Sequence, residues 1–155
     1  AYKKDPEEFI FFLDLIFKLT RDENINVRID ATKHLFKILF RTPQELLGKY
    51  SDKIDTYFKH FKNLALDDNR EIRLIVSRYL REMIIVFPER TKDIMRIIYI
   101  FIKSGENDVM ESTSIAVKML LSKYPENKDK ILSDLKRFYT KSRDGMLLTL
   151  INEIK

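Results

Sequence analysis

The chain has no cysteine and no tryptophan, and only three glycines, four prolines and two histidines among 155 residues. Without cysteine there is no disulfide framework, no thiol nucleophile and no thiolate-held metal. With His34 and His60 as the only histidines, a four-ligand structural zinc site has too few donors. The shortage of glycine and proline argues against an all-β chain, which needs frequent turn signals. No apolar run reaches the roughly 18 residues of a membrane span. The longest candidates, "FIFFLDLIF" and "IMRIIYIFI", are interrupted by Asp14 and Arg96 and read as buried helices. No signal-peptide pattern opens the chain. There is also no glycine-rich phosphate loop, HExxH pair or nucleophile elbow. The expectation is a protein without catalytic residues, metal, cofactor, small-molecule substrate or membrane partner. Its expected place is intracellular, cytoplasmic or nuclear.

What is present is apolar and charged. Hydrophobic residues make up 45%, enough for a real core, and charged residues 34%, which suits helices with a large solvated surface. The length fits one domain. A net charge of +5 admits acidic partners, either nucleic acid or an acidic peptide.

The four prolines carry the organisation. Pro6, Pro43, Pro88 and Pro125 are spaced by 37, 45 and 37 residues, and a period of 20–50 residues is the mark of a repeat array. Three segments ending on a proline share one register: "VRIDATKHLFKILFRTP" (27–43), "IRLIVSRYLREMIIVFP" (72–88) and "VMESTSIAVKMLLSKYP" (109–125). Offsets of 0, 4, 8 and 11 in each are mostly apolar and lie on one helical face. A fourth copy starts at Met146 and continues through Leu150 and Ile154. The segments after each proline align as well, in columns Phe12–Tyr57–Ile94–Ile131, Ile16–Phe61–Ile98–Leu135 and Leu19–Leu64–Phe101–Phe138. The eight extra residues of the middle interval then fall near "LLGKYSDK" (46–53), where Gly48 would break a short extra turn.

Each unit is therefore two helices. First helices are expected over 6–20, 52–66, 89–103 and 126–140, second helices over 25–41, 70–86, 107–123 and 145–155. Asn24, Asn69 and Asn107 or Asp108 are the expected N-caps. Each proline would sit in the first turn of the next helix, where it loses no hydrogen bond. One amphipathic pair cannot bury its own apolar faces, whereas stacked pairs share a core. The expected fold is all-α: a right-handed superhelix of about four hairpins, with units at about 1–42, 43–87, 88–124 and 125–155.

The runs "DENINVRIDATKHLFKIL" and "DDNREIRLIVSRYLREMI" resemble the HEAT repeats of the ARM/HEAT superfamily. The resemblance rests on Asp22, Val27 and Arg28 and on Asp67, Ile72 and Arg73, together with the proline and the unit lengths. The third unit departs with Ser104 and Met110, the fourth with Lys141 and Leu147. The resemblance implies a ladder of Asp–Arg contacts between units. It also implies a scaffold or adaptor that holds another macromolecule on its second-helix surface; a minority of the family binds DNA.

Two surfaces are candidates. Arg28, Lys33, Lys37, Arg73, Arg78, Arg81 and Lys118 lie opposite the core stripe of the second helices. Stacking would align them into a basic track for phosphates or an acidic peptide. The competing reading is a solvated face, with Arg28 and Arg73 serving the ladder and Arg78 facing Glu82. The first helix is apolar on more than one side, with Phe11 and Leu15 on the second of these. It is either swallowed by the core, or packed on further repeats of a longer array, or a contact for a partner. The chain starts at a repeat boundary without Met and stops early in a second helix, as a piece of a longer array would. His34, with Asp30 four residues before it, reads as a partly buried histidine bonded to a neighbour. Acidic pairs at Asp22–Glu23 and Asp67–Asp68 complement helix N-termini.

Overall fold

A computed structural model describes residues 5–42 and 51–155. These residues are helical, with no strand among them. In chain order the helices are α1 (Pro6–Leu19), α2 (Ile25–Leu39), α3 (Ser51–Ala65), α4 (Arg70–Arg78), α5 (Leu80–Val86), α6 (Thr91–Ser104), α7 (Asn107–Lys123), α8 (Lys128–Ser142) and α9 (Gly145–Ile154). The ends fall within two residues of those expected, with α4 and α5 together in place of one second helix. Pro43 and Gly48, and with them the expected extra turn, lie outside the described residues. No helix of the described residues is long and apolar enough to cross a membrane.

Short polar side chains start the helices. Asp5 caps α1 by accepting from the Glu7 and Glu8 amides at 3.0 and 3.2 Å, with Pro6 in the first turn. Asn24 caps α2 by accepting from Asn26 N at 2.9 Å, and Asn69 accepts from Ile72 N at 3.2 Å. Each such cap satisfies a helix amide that has no partner inside the helix. The expected cap at Asn107 or Asp108 is displaced: Glu106 is the cap residue and Asn107 is already helical. Gly105, at φ 68°, reverses the chain directly after α6, and the next helix starts at Asn107 as expected.

Pro88 and Pro125 do not enter α-helices directly. Each opens a single 3₁₀ turn, Pro88–Arg90 and Pro125–Asn127, that leads into α6 and α8. The residues before them have nearly the same backbone, Phe87 at φ −122°, ψ 63° and Tyr124 at φ −132°, ψ 68°. Proline keeps its predecessor out of the helical region, so the same dipeptide stop recurs one period apart. At Tyr79 the amide reaches back three residues, to Val76 O at 3.1 Å, and the helix restarts at Leu80. Neither proline nor glycine marks that break.

The chain forms two compact units that divide between Ile75 and Val76. In the first, α1 packs along α2 around an aromatic core. Phe17 stacks on Tyr57 with ring centroids 4.9 Å apart, and Phe61 lies 5.2 Å from both Phe36 and Phe58. This corrects the expected register of α1. The inward residues are Phe9, Ile10, Leu13, Ile16 and Phe17, while Phe12 and Leu19 are 48% and 46% exposed. Turning Phe17 onto Tyr57 rotates the helix by about one residue, or 100°.

In the second unit α5 packs on α6 and α7, α6 on α7 and α8, and α9 on α7 and α8. Alternate helices thus form two layers, with α6 and α8 in one and α5, α7 and α9 in the other. The expected stripe is buried at Leu80, Met83, Val109, Thr113, Val117, Leu120, Leu150 and Ile154. Thr113 satisfies its buried hydroxyl by donating to Val109 O at 2.7 Å. After α8, Arg143 holds the left-handed conformation (φ 55°) that Gly105 holds after α6. For a residue with a Cβ this costs roughly 1 kcal/mol more than for glycine.

Candidate partner-binding surfaces

Arg28 is held by several partners. It donates to the carbonyls of Asp22 and Glu23 at 3.2 and 3.4 Å and to Asp68 Oδ1 at 3.1 Å. Its Nε lies 3.4 Å from Asp67 Oδ2, an ionic contact that is not aligned as a hydrogen bond. Arg73 donates to the Asp67 carbonyl at 2.7 Å. Both arginines tie the turn after α3 to the helices beside it. Arg28, with Asp67 and Asp68, links two hairpins of the first unit. Lys33 pairs with Glu71 at 3.1 Å, both about half exposed. In the second unit Lys118 pairs with Glu153. Lys37, Arg78 and Arg81 are exposed and have no carboxylate partner among the described residues.

The second side of α1 is open. Phe11 is 64% exposed and Leu15 41%, and with Phe12 and Leu19 they make a stripe spaced by three and four residues along one helical face. Beside it runs a groove of about 360 Å³ lined by Phe11, Asp14, Leu15, Phe17, Lys18, Arg21 and His60. Asp14 is matched by Lys53 at 3.5 Å, whereas Lys18 has no carboxylate partner among the described residues. A second depression, at the Arg28–Asp67 contact, is walled by charges that already pair with each other.

His60 closes one end of the groove. Its ring stacks on Phe17 at 4.5 Å, and Arg21 Nη2 lies 2.5 and 3.0 Å from its two ring nitrogens. Burial and then the Arg21 charge hold the imidazole below its ordinary value of 6.5, against a smaller upward pull from Asp14. Because the folded value is the lower one, the unfolded chain binds the extra proton first. Stability is therefore complete above pH 6.5 and falls as pH drops from 6.5 through the lowered folded value. Melting temperatures between pH 7.5 and 5 should show this decline, and His60→Gln should flatten its part of it. An unchanged slope in His60→Gln would remove His60 as the cause.

Another polar cluster lies between α6 and α8. Tyr99 donates to Asp134 at 2.6 Å, and Asp134 also meets Arg137 at 3.3 Å and Lys130 at 3.5 Å. The Tyr99 bond does most to hold the Asp134 carboxyl below its usual range, helped by Lys130 and Arg137 and opposed by burial. Burial, then the same bond, pushes the Tyr99 phenol up. Tyr99 also packs edge-on against Phe138 at 5.2 Å, and Lys103 and Arg137 lie 5.1 and 5.4 Å from the centre of that ring. The sequence hides this cluster because Tyr99 and Asp134 meet only when helices one period apart are laid side by side.

His34 is exposed, contrary to the expectation of partial burial. Its ring bonds the carbonyl of Asp30 at 2.7 Å, within its own helix. Among the described residues no three His, Asp or Glu side chains converge as a metal site would require. No family model, curated protein or solved structure matches this chain.

Proposed function

We propose that this chain is a non-catalytic scaffold: a right-handed solenoid of about four HEAT-like hairpins that binds a protein or peptide partner. Three features support the repeat reading: the matched stops before Pro88 and Pro125, the alternating layers of α5–α9, and the Arg28–Asp67 contact. One observation supports protein binding most strongly, the open apolar stripe of Phe11, Phe12, Leu15 and Leu19. Stripes of this kind mark contact sites on soluble proteins. Lys18 and Arg21 beside it favour a partner that brings carboxylates along with its apolar side chains. The second-helix surface offers less, since Arg28, Lys33 and Lys118 already have partners and Lys37, Arg78 and Arg81 remain.

The test compares wild type, Phe11→Asp with Leu15→Asp, and Arg78→Glu with Arg81→Glu as baits, followed by affinity measurement on the partner recovered. Loss of a central apolar anchor should weaken binding by roughly 30-fold or more. The pair on α1 should show that loss with an unchanged melting curve. Loss confined to the Arg78 and Arg81 pair would move the contact to the second-helix surface. Undiminished binding by both would sink the proposal.

A further inference from the structure

The C-terminal ends of α6 and α8 carry a group of cations that the proposed scaffold role does not use. Lys103-Ser104-Gly105 ends α6, and Lys141-Ser142-Arg143 ends α8, one residue beyond the 37-residue period because α8 is one residue longer. Counted from the helix end the two lysines hold the same place, and Arg143 takes the left-handed conformation that Gly105 takes after α6. The sequence "KRFYTKSR" holds four cations; the Asp144 carboxylate that follows lies beside Gly105 and is engaged in capping α9, accepting from Leu147 N at 3.0 Å. Asp134 is already shared by Tyr99, Lys130 and Arg137. Lys103, Lys141 and Arg143 have no carboxylate partner among the described residues; Lys103 lies on the Phe138 ring and Arg143 on Tyr139.

A lysine in the last turn complements the helix dipole, which accounts for one cation per helix. It does not account for Arg143. An arginine kept where the backbone favours glycine points to a use for its side chain. A protein partner or a bilayer would need apolar anchors next to the charge. None of the exposed large hydrophobic residues lies on α6 or α8. A phosphate backbone needs only cations.

The geometry points to a nucleic-acid-binding surface at the ends of α6 and α8, in which Lys103, Lys141 and Arg143 neutralise phosphates of the backbone without reading sequence. The surface lies on the first-helix layer, away from Arg78 and Arg81.

A labelled duplex oligonucleotide titrated with the protein by fluorescence anisotropy at 50 and 200 mM salt tests this. With three phosphates neutralised, affinity should fall roughly 40-fold between the two salts. Arg143→Gly, which suits its backbone and so keeps the fold, should reduce that to roughly 12-fold. Lys103→Ala with Lys141→Ala should leave roughly a 4-fold effect and weaken binding at 50 mM. Arg78→Ala with Arg81→Ala should change neither value. No binding at 50 mM, wild-type salt dependence in both altered proteins, loss confined to the Arg78 and Arg81 pair, or equal binding of poly-glutamate would each overturn the assignment.

Discussion

Phe61→Ala is expected to lower the unfolding free energy by about 3–5 kcal/mol. Phe61 is fully buried and sits where three aromatic neighbours converge: Phe36 and Phe58 at 5.2 Å and Phe17 at 6.4 Å. Those neighbours are on α1, α2 and α3, so no single helix can shift to close the space. The loss combines the transfer of a benzyl group with the cavity left behind. Urea unfolding followed by far-UV circular dichroism measures it. A change under 1 kcal/mol would mean that the rings repack freely, and the described core would be wrong.

Asp67→Ala should cost about 2 kcal/mol, well above a surface ion pair. The side chains of Arg28 and Asp67 are only 16% and 13% exposed, and Asp67 Oδ1 also accepts from Asn69 N at 2.9 Å. Removing the carboxylate takes from a largely buried guanidinium the less exposed of its two carboxylate partners and leaves the Asn69 amide without its acceptor. Asp68 is the internal control. It contacts the same arginine at 3.1 Å but is 90% exposed, so Asp68→Ala should cost less than about 0.5 kcal/mol. Arg28→Ala added to Asp67→Ala should cost less than the sum of the two single changes. Equal losses from the two aspartates would show that the contact contributes as a surface pair only.

Much of the helical layout was legible because the signals are local and repeated. The proline period gave the number of hairpins to look for, and apolar spacing placed the helices. Asn24 and Asn69 announced the starts that they cap. Residues whose state depends on a distant neighbour were not legible. Phe12 has the same local pattern as Tyr57, Ile94 and Ile131, yet it faces solvent because Phe17 turns onto a ring 40 residues away. The break at Tyr79 has no breaker residue to announce it. His34 sits beside the core stripe in the sequence but bonds within its own turn. Among the candidate sites, the exposure of Phe11 and Leu15 could be anticipated only as one of three fates for a helix apolar on several sides. The left-handed backbone that Arg143 shares with Gly105 has no signal in the sequence, since no glycine stands at that position.

The stops at Phe87-Pro88 and Tyr124-Pro125 have a consequence for how such a chain can change length. Each turn takes its shape from an aromatic residue and the proline after it, with the amide before the proline held by its own helix: Phe87 N to Met83 O at 2.9 Å and Tyr124 N to Leu120 O at 2.8 Å. The backbone bonds of each stop are local, four residues apart. The segment from Pro88 to Tyr124 is therefore bounded by two interchangeable seams. Duplicating or excising it would rejoin an aromatic residue to a proline, and the junction would carry its own folding instructions.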